Sequence, residues 1–328
     1  MKRVLPLLLL AALLAGALLL GVRLGAVAFT LGDIAAALRG EGEPTTVAII
    51  RRIRLPRVVL AALVGGALAA SGAVFQALLR NPLADPYILG VSGGAAVGAV
   101  GAIAFAGAAA SSATVAACAF AGATAAILLV FRIAAGVGRA LDTRILLLAG
   151  VVVGAFFNAC ILLALTFADA EAFRSAIFWM MGSFGGATWR GIGLLAGAML
   201  PALLLLFALA RTLNLFAVGE ETAAFLGVRT ERAKLLAYGT ASLLTAAAVA
   251  VSGVIGFVGL VVPHVVRMLW GSDHRLLLPA SVLLGATFAV LADTLARTAT
   301  APTELPIGVV TAFVGVPFFV YLLRRRAA

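Results

Sequence analysis

The stretch VVLAALVGGALAASGAVFQALL (58–79) runs for 22 residues without a charge. At 1.5 Å per residue, a helix of that length covers the roughly 30 Å hydrocarbon core of a bilayer. Outward from it, blocks of similar length recur at 146–167, 194–209 and elsewhere, separated by short polar breaks. Apolar residues make up 64% of the 328 and charged ones only 11%, with a mean hydropathy of +1.18, which leaves too little polar surface to solvate water-soluble domains. Long Ala, Leu and Gly runs with no alternation of apolar and polar residues indicate helices over a β-barrel. The expected fold is therefore an all-α polytopic membrane protein, a single domain over 1–328. Its crossings are expected near 4–22, 58–79, 88–107, 113–132, 145–167, 191–210, 235–252, 255–270, 276–295 and 306–323.

The charge of +11, from 24 basic and 13 acidic residues, excludes nucleic acid as the explanation, because the basic residues are scattered at helix ends with no aromatic-interleaved patch. Topology accounts for them better. Lys2, Arg3 and the triplet Arg324, Arg325 and Arg326 put both termini on the cytoplasmic side of an inner membrane. The apolar run 4–21 behind Met-Lys-Arg reads as a first helix, although its charge and an Ala-Val-Ala near its end also suit a cleaved leader. Cys118 and Cys160 lie in apolar stretches and read as free thiols.

Arg51, Arg52, Arg54 and Arg57 cluster on what this map makes the outer side, where basic residues are disfavoured. They fit anchoring to anionic lipid, pairing with Glu41 and Glu43, or docking of an acidic partner from outside. Gly94 and Gly98, Gly150 and Gly154, and Gly193 and Gly197 recur at a spacing that lets helix backbones approach closely. Two breaks are long. The outer segment 168–190 contains Ile-Phe-Trp-Met-Met and suits a short interfacial helix. The inner segment 214–233 reads as a short amphipathic helix over 220–226, stopped by Gly227.

Catalytic chemistry is missing from the pattern. There is no Gly-x-x-x-x-Gly-Lys-Ser/Thr loop, since the two lysines are Lys2 and Lys234. His264 and His274 are ten residues apart with no third ligand type nearby. The chain is expected to be no enzyme and to hold no metal or cofactor. The map places no Asp, Glu, Lys or His at the middle of a span, which argues against a proton-coupled secondary transporter, the rival reading from another class.

Several long motifs are recognisable. Arg54-Leu-Pro-Arg57, Gly65-Gly-Ala-Leu-Ala-Ala-Ser-Gly72 with Gln76, and Arg80-Asn-Pro-Leu-Ala-Asp-Pro86 with Leu89-Gly-Val-Ser-Gly-Gly94 resemble the permeases of type II ABC importers. The likeness continues through Trp179-Met-Met-Gly-Ser-Phe-Gly-Gly186, Gly219-Glu220, Gly256-Phe-Val-Gly-Leu-Val-Val-Pro-His-Val-Val-Arg267, Asp273-His-Arg275 and Glu304-Leu-Pro-Ile-Gly-Val-Val-Thr311.

This resemblance implies a homodimer of ten-helix subunits in a bacterial inner membrane. Two separate ATPase subunits, carrying ATP and Mg, would sit on the cytoplasmic side, with a periplasmic binding protein above. It makes Arg54, Arg57 and Arg297 the docking arginines, with the competing expectation that Arg297 pairs with Asp293 one turn away. It makes Gly219, Glu220, Glu221, Ala223, Ala224, Leu226 and Gly227 the ATPase-coupling elbow, with Ala223 and Ala224 as its close-contact surface and Phe225 and Leu226 anchoring it to the membrane domain. Asn81, Leu83 and Thr143 match the cytoplasmic gate, where Pro82 and Pro86 interrupt the helix. His264 and Arg267 are taken as structural or coupling residues. The implied cargo is haem or a ferric siderophore, with cobalamin as the alternative. Arg174 is either a contact for a cargo carboxylate or an interfacial anchor.

Overall fold

Hydrocarbon offers a backbone no hydrogen-bond partners, so each apolar run must close its own bonds, and a helix does this within one segment. The computed structural model describes residues 4–25, 27–106, 110–137 and 141–327, and every regular element among them is helical. In chain order these are α1 (Val4–Arg23), α2 (Leu31–Arg39), α3 (Pro44–Ala48), α4 (Leu55–Leu78), α5 (Val91–Ala106), α6 (Ser112–Val137), α7 (Thr143–Thr166) and α8 (Ala170–Met180). There follow α9 (Trp189–Ala208), α10 (Ala210–Val218), α11 (Glu220–Phe225), α12 (Thr230–Ser252), α13 (Val258–Trp270), α14 (His274–Thr298) and α15 (Ile307–Ala327). A π-helical stretch, Ile49–Arg54, leads into α4, and a 3-10 turn, Pro86–Leu89, precedes α5. Among the described residues seven helices are long and apolar enough to cross a membrane, and α5, α13 and α15 supply three shorter apolar ones. Together they occupy the ten places read from the sequence. Lys2 and Arg3 lie outside the described residues, as do the side chains of Arg324, Arg325 and Arg326.

The run that opened the sequence reading forms the centre of the bundle. α4 is buried along most of its length and packs against α14, α12, α13 and α9. Such contact needs small residues: a Cβ on Gly72 would collide with the backbone of Gly259, and one on Gly98 with that of Cys118. The same spacing on α9 means something else. Gly193 and Gly197 face open space, so the close packing expected there is not made within this chain. The spacing marks a smooth helix face and does not say what covers it.

Two crossings are only part helical. α13 has 13 residues, and the segment before it, 253–257, is irregular and packed inside protein. Its polar backbone is satisfied from another element: the Tyr87 hydroxyl donates to the Ile255 carbonyl at 2.9 Å and accepts from the Ile255 N–H at 3.2 Å. The loop after α8 ties three elements together. Ser183 N–H donates to the Ser252 carbonyl at 2.8 Å, and the Met181 carbonyl accepts from Gly308 N–H at 3.0 Å. α8 itself is the short helix expected near 177–181. It starts earlier because the Asp169 side chain caps it, accepting from Ala172 N–H at 2.8 Å.

Candidate functional site

The functional candidates collect at the two ends of the bundle. At the first end α1 stops and leaves carbonyl groups without intrahelical donors. Arg54 supplies donors, bonding the carbonyls of Val22 at 2.8 Å, Arg23 at 2.9 Å and Val27, while its guanidinium lies 4.5 Å from the centre of the Phe29 ring. Arg297 bonds the Gly21 carbonyl at 2.9 Å and pairs with Asp293 at 3.0 Å. The expected Asp293–Arg297 pair is thus present, but Asp293 is shared. Arg57 holds it at 2.9 Å and holds Glu304 at 2.8 Å with another nitrogen. All three arginines of the predicted dock come together here, at 6–8% exposure, each with bonds inside its own chain.

The acids nearest the cluster in sequence do not join it. Glu41 pairs with Arg39 at 2.9 Å, and Glu43 caps α3. Arg51 and Arg52 remain exposed on the rim, with Arg51 bonding the Leu38 carbonyl at 2.9 Å.

At the opposite end α10 and α11 connect α9 to α12. Glu220 and Glu221 open α11, where the helix dipole favours carboxylates. Gly227 ends the turn at φ +83°, a left-handed conformation that suits glycine, with its N–H on the Ala224 carbonyl at 2.9 Å. The orientation corrects the expectation for this helix. Ala223 is fully buried against the rest of the chain, whereas Ala224 is exposed and Phe225 and Leu226 are 90% and 63% exposed. A helix of six residues seats closely through its smallest side chain, so its bulky ones turn away.

A residue that sequence reasoning passed over holds this elbow. Lys234 of α12, 2% exposed, reaches Glu220 at 2.6 Å, Glu231 at 3.1 Å and the Leu141 carbonyl at 2.6 Å. Its rarity was the available signal, since the chain has only two lysines. Glu304 was likewise missed as Arg57's partner, because nothing in a sequence connects residues 247 positions apart.

The predicted gate residues divide between two elements of this end. Asn81 and Leu83 share the turn after α4, where the Asn81 side chain accepts from Leu83 N–H at 3.0 Å and Arg80 adopts φ +48°. Thr143 is the first residue of α7, beside Tyr238 of α12. Toward the same end, Arg267 bonds Gln76 of α4 at 2.9 Å, and Asn214 clasps the start of α14 through His274 at 2.7 Å and Asp273 at 2.9 Å. His264 is buried in α13. Arg174 is exposed on α8 with its guanidinium 5.7 Å from the Phe178 ring centre. Among the described residues no three His, Cys, Asp or Glu side chains converge as metal ligands would.

Comparison with known proteins places this arrangement. The model of the FecCD transport family matches residues 11–325. A cobalamin import system permease protein, BtuC, of Halobacterium salinarum is 47% identical over 305 residues, 89% of this chain and 78% of that protein. A hemin transport system permease protein, HmuU, of Yersinia pestis is 43% identical over 276 residues, 84% of this chain and 82% of that protein. A solved structure described as an inward-facing conformation of a metal-chelate type ABC transporter superposes with a TM-score of 0.88 at 32% identity, covering 97% of this chain and 98% of that one. With ten apolar helices among the described residues, an exposed elbow and matching relatives over nearly its whole length, this chain belongs to the FecCD transport family, a family of type II ABC importer permeases.

Proposed function

We propose that this chain is the membrane permease of an ATP-driven importer for haem or a ferric siderophore, acting as one domain and pairing with a second copy around the cargo path. Two ATPase subunits engage the elbow end, which is then cytoplasmic, and a periplasmic binding protein engages the arginine end. The observation that carries this reading is Phe225. A large apolar side chain, 90% exposed on the six-residue helix between α10 and α12, fits a groove on another protein.

In this reading the buried arginines shape the docking corner and set its field, while Arg51 and Arg52 on the rim meet acidic groups first. Asn81, Leu83 and Thr143 close the inner end of the path. Arg174 meets cargo carboxylates, or anchors α8 at the interface. The permease itself contributes no ATP chemistry.

A cobalamin cargo is the second reading, favoured by the 47% identity to a cobalamin import permease. Reconstituted vesicles holding the permease with its ATPase, supplied in turn with haem, ferric siderophore and cobalamin on the binding protein, test both. Uptake of one cargo that requires ATP is expected. Uptake that ignores ATP and follows a proton gradient overturns the reading.

A further inference from the structure

We propose that Lys234 is the positioning residue that carries displacement of α11 to the start of α7, an inference that rests on the importer reading above. The ammonium group pairs with the Glu231 carboxylate of its own helix at 3.1 Å, and it donates to Glu220 of α11 at 2.6 Å and to the Leu141 carbonyl at 2.6 Å. The last contact is doubled, because Leu141 N–H donates to Glu231 at 2.7 Å. One buried cation therefore joins the elbow, the first turn of α12 and the two residues that lead into Thr143. Separating any of them strands charge or a carbonyl at a site only 2% exposed, so the three segments move together.

The tie extends to the other gate element. One turn beyond Lys234, Tyr238 is fully buried beside Thr143, and its ring meets Phe75 of α4 edge-on with centroids 5.5 Å apart. Phe75 lies in the last turn of α4, and the neighbouring Gln76 carbonyl accepts from Asn81 N–H at 3.2 Å. A push on α11 thus reaches Thr143 through the ammonium and Asn81 through the aromatic pair. Lys234 touches neither cargo nor nucleotide and acts only by holding these parts in register.

The test compares the complete importer, reconstituted in vesicles with ATPase and loaded binding protein, as wild type, Lys234→Met and Glu220→Gln. Uptake per ATP hydrolysed is expected to fall about fivefold or more in both variants. Amide exchange at 141–146 is expected to quicken in Lys234→Met. Glu220→Gln removes the charge from the arm to α11 while Glu231 still balances the ammonium, so it carries the test if Lys234→Met does not accumulate. A wild-type ratio of uptake to ATP in Glu220→Gln, or in a folded Lys234→Met, overturns the proposal, because a merely structural clasp leaves that ratio unmoved.

If the wild-type assembly shows no ATP-dependent uptake, it is the importer reading that fails. The joint is then judged on the permease alone: Lys234→Met quickening exchange in 141–146 and 220–226 together supports it, and quickening in only one segment overturns it.

Discussion

Arg57 grips Asp293 across 236 positions of sequence, its Nε and Nη2 lying 3.0 and 2.9 Å from one carboxylate oxygen. The other oxygen of Asp293 holds Arg297 at 3.0 Å, so a single acid in α14 balances two buried cations. Removing that acid leaves two guanidiniums in an apolar setting with far less compensation. Asp293→Ala is expected to destabilise the permease by about 3–5 kcal/mol, a cost typical of breaking a buried pair. Thermal unfolding of the purified protein measures it. A midpoint equal to wild type would mean that water reaches this corner and solvates both arginines.

Glu304 is different in kind because its side chain is 48% exposed and it holds only the outer face of Arg57. On the proposed function it competes with carboxylates of the docking partner. Glu304→Gln should tighten binding-protein affinity about two- to fivefold, the scale of one partly exposed ion pair, with the gain shrinking as salt rises. Arg52→Glu should weaken it, mainly through the association rate, without lowering the unfolding midpoint. Surface-plasmon measurements at two salt concentrations separate these outcomes, and equal affinity for all three proteins removes this corner as the dock.

The two faces of α11 should respond oppositely to substitution. Phe225→Ala trims an exposed side chain, so unfolding should be unchanged while co-purification with the ATPase weakens about tenfold or more. Ala223→Leu forces bulk into a filled site and should cost about 1–3 kcal/mol of stability. Paired pull-down and unfolding assays check both. Retention of the ATPase by Phe225→Ala would deny that residue the central place in the interface.

Acid should loosen the start of α3 before the rest of the bundle. Hydrogen bonds from Thr45 and then Thr46 hold the Glu43 carboxyl down to about 2 from its ordinary 4.5. A lowered carboxylate favours the folded cap. Its contribution is complete above about 4.5, declines as pH falls below that, and is gone once the folded group protonates near 2. Protection of the 45–48 amides, expressed relative to the unstructured chain at the same pH, should therefore fall between those limits, and Glu43→Ala should show no such step.

The crossings were legible because hydrocarbon tolerates no unpaired backbone, so length and composition nearly dictate a helix. The elbow was legible too, since Glu220-Glu221 at one side and Gly227 at the other are local start and stop signals. Direction was not. In a chain that is apolar nearly all round, Phe225 and Ala223 carry no mark of which one faces protein, and Gly193-Gly197 looks the same as Gly94-Gly98 although only the latter pair meets another backbone. Long-range pairing was equally hidden. The cluster at 51–57 announces charge, but its partners come from α1, α14 and the segment before α15. Lys234 owes its place to Leu141, 93 positions earlier.

The irregular span ahead of α13 makes one crossing dependent on another. With 13 residues, that helix falls short of the roughly 20 needed to cross alone, and the amide and carbonyl of Ile255 depend on a phenol contributed by Tyr87. A segment of this kind is not self-sufficient in hydrocarbon. Its place in the bilayer is supplied by the earlier third of the polypeptide, whose Tyr87 hydroxyl satisfies both backbone polar groups of one residue at the break.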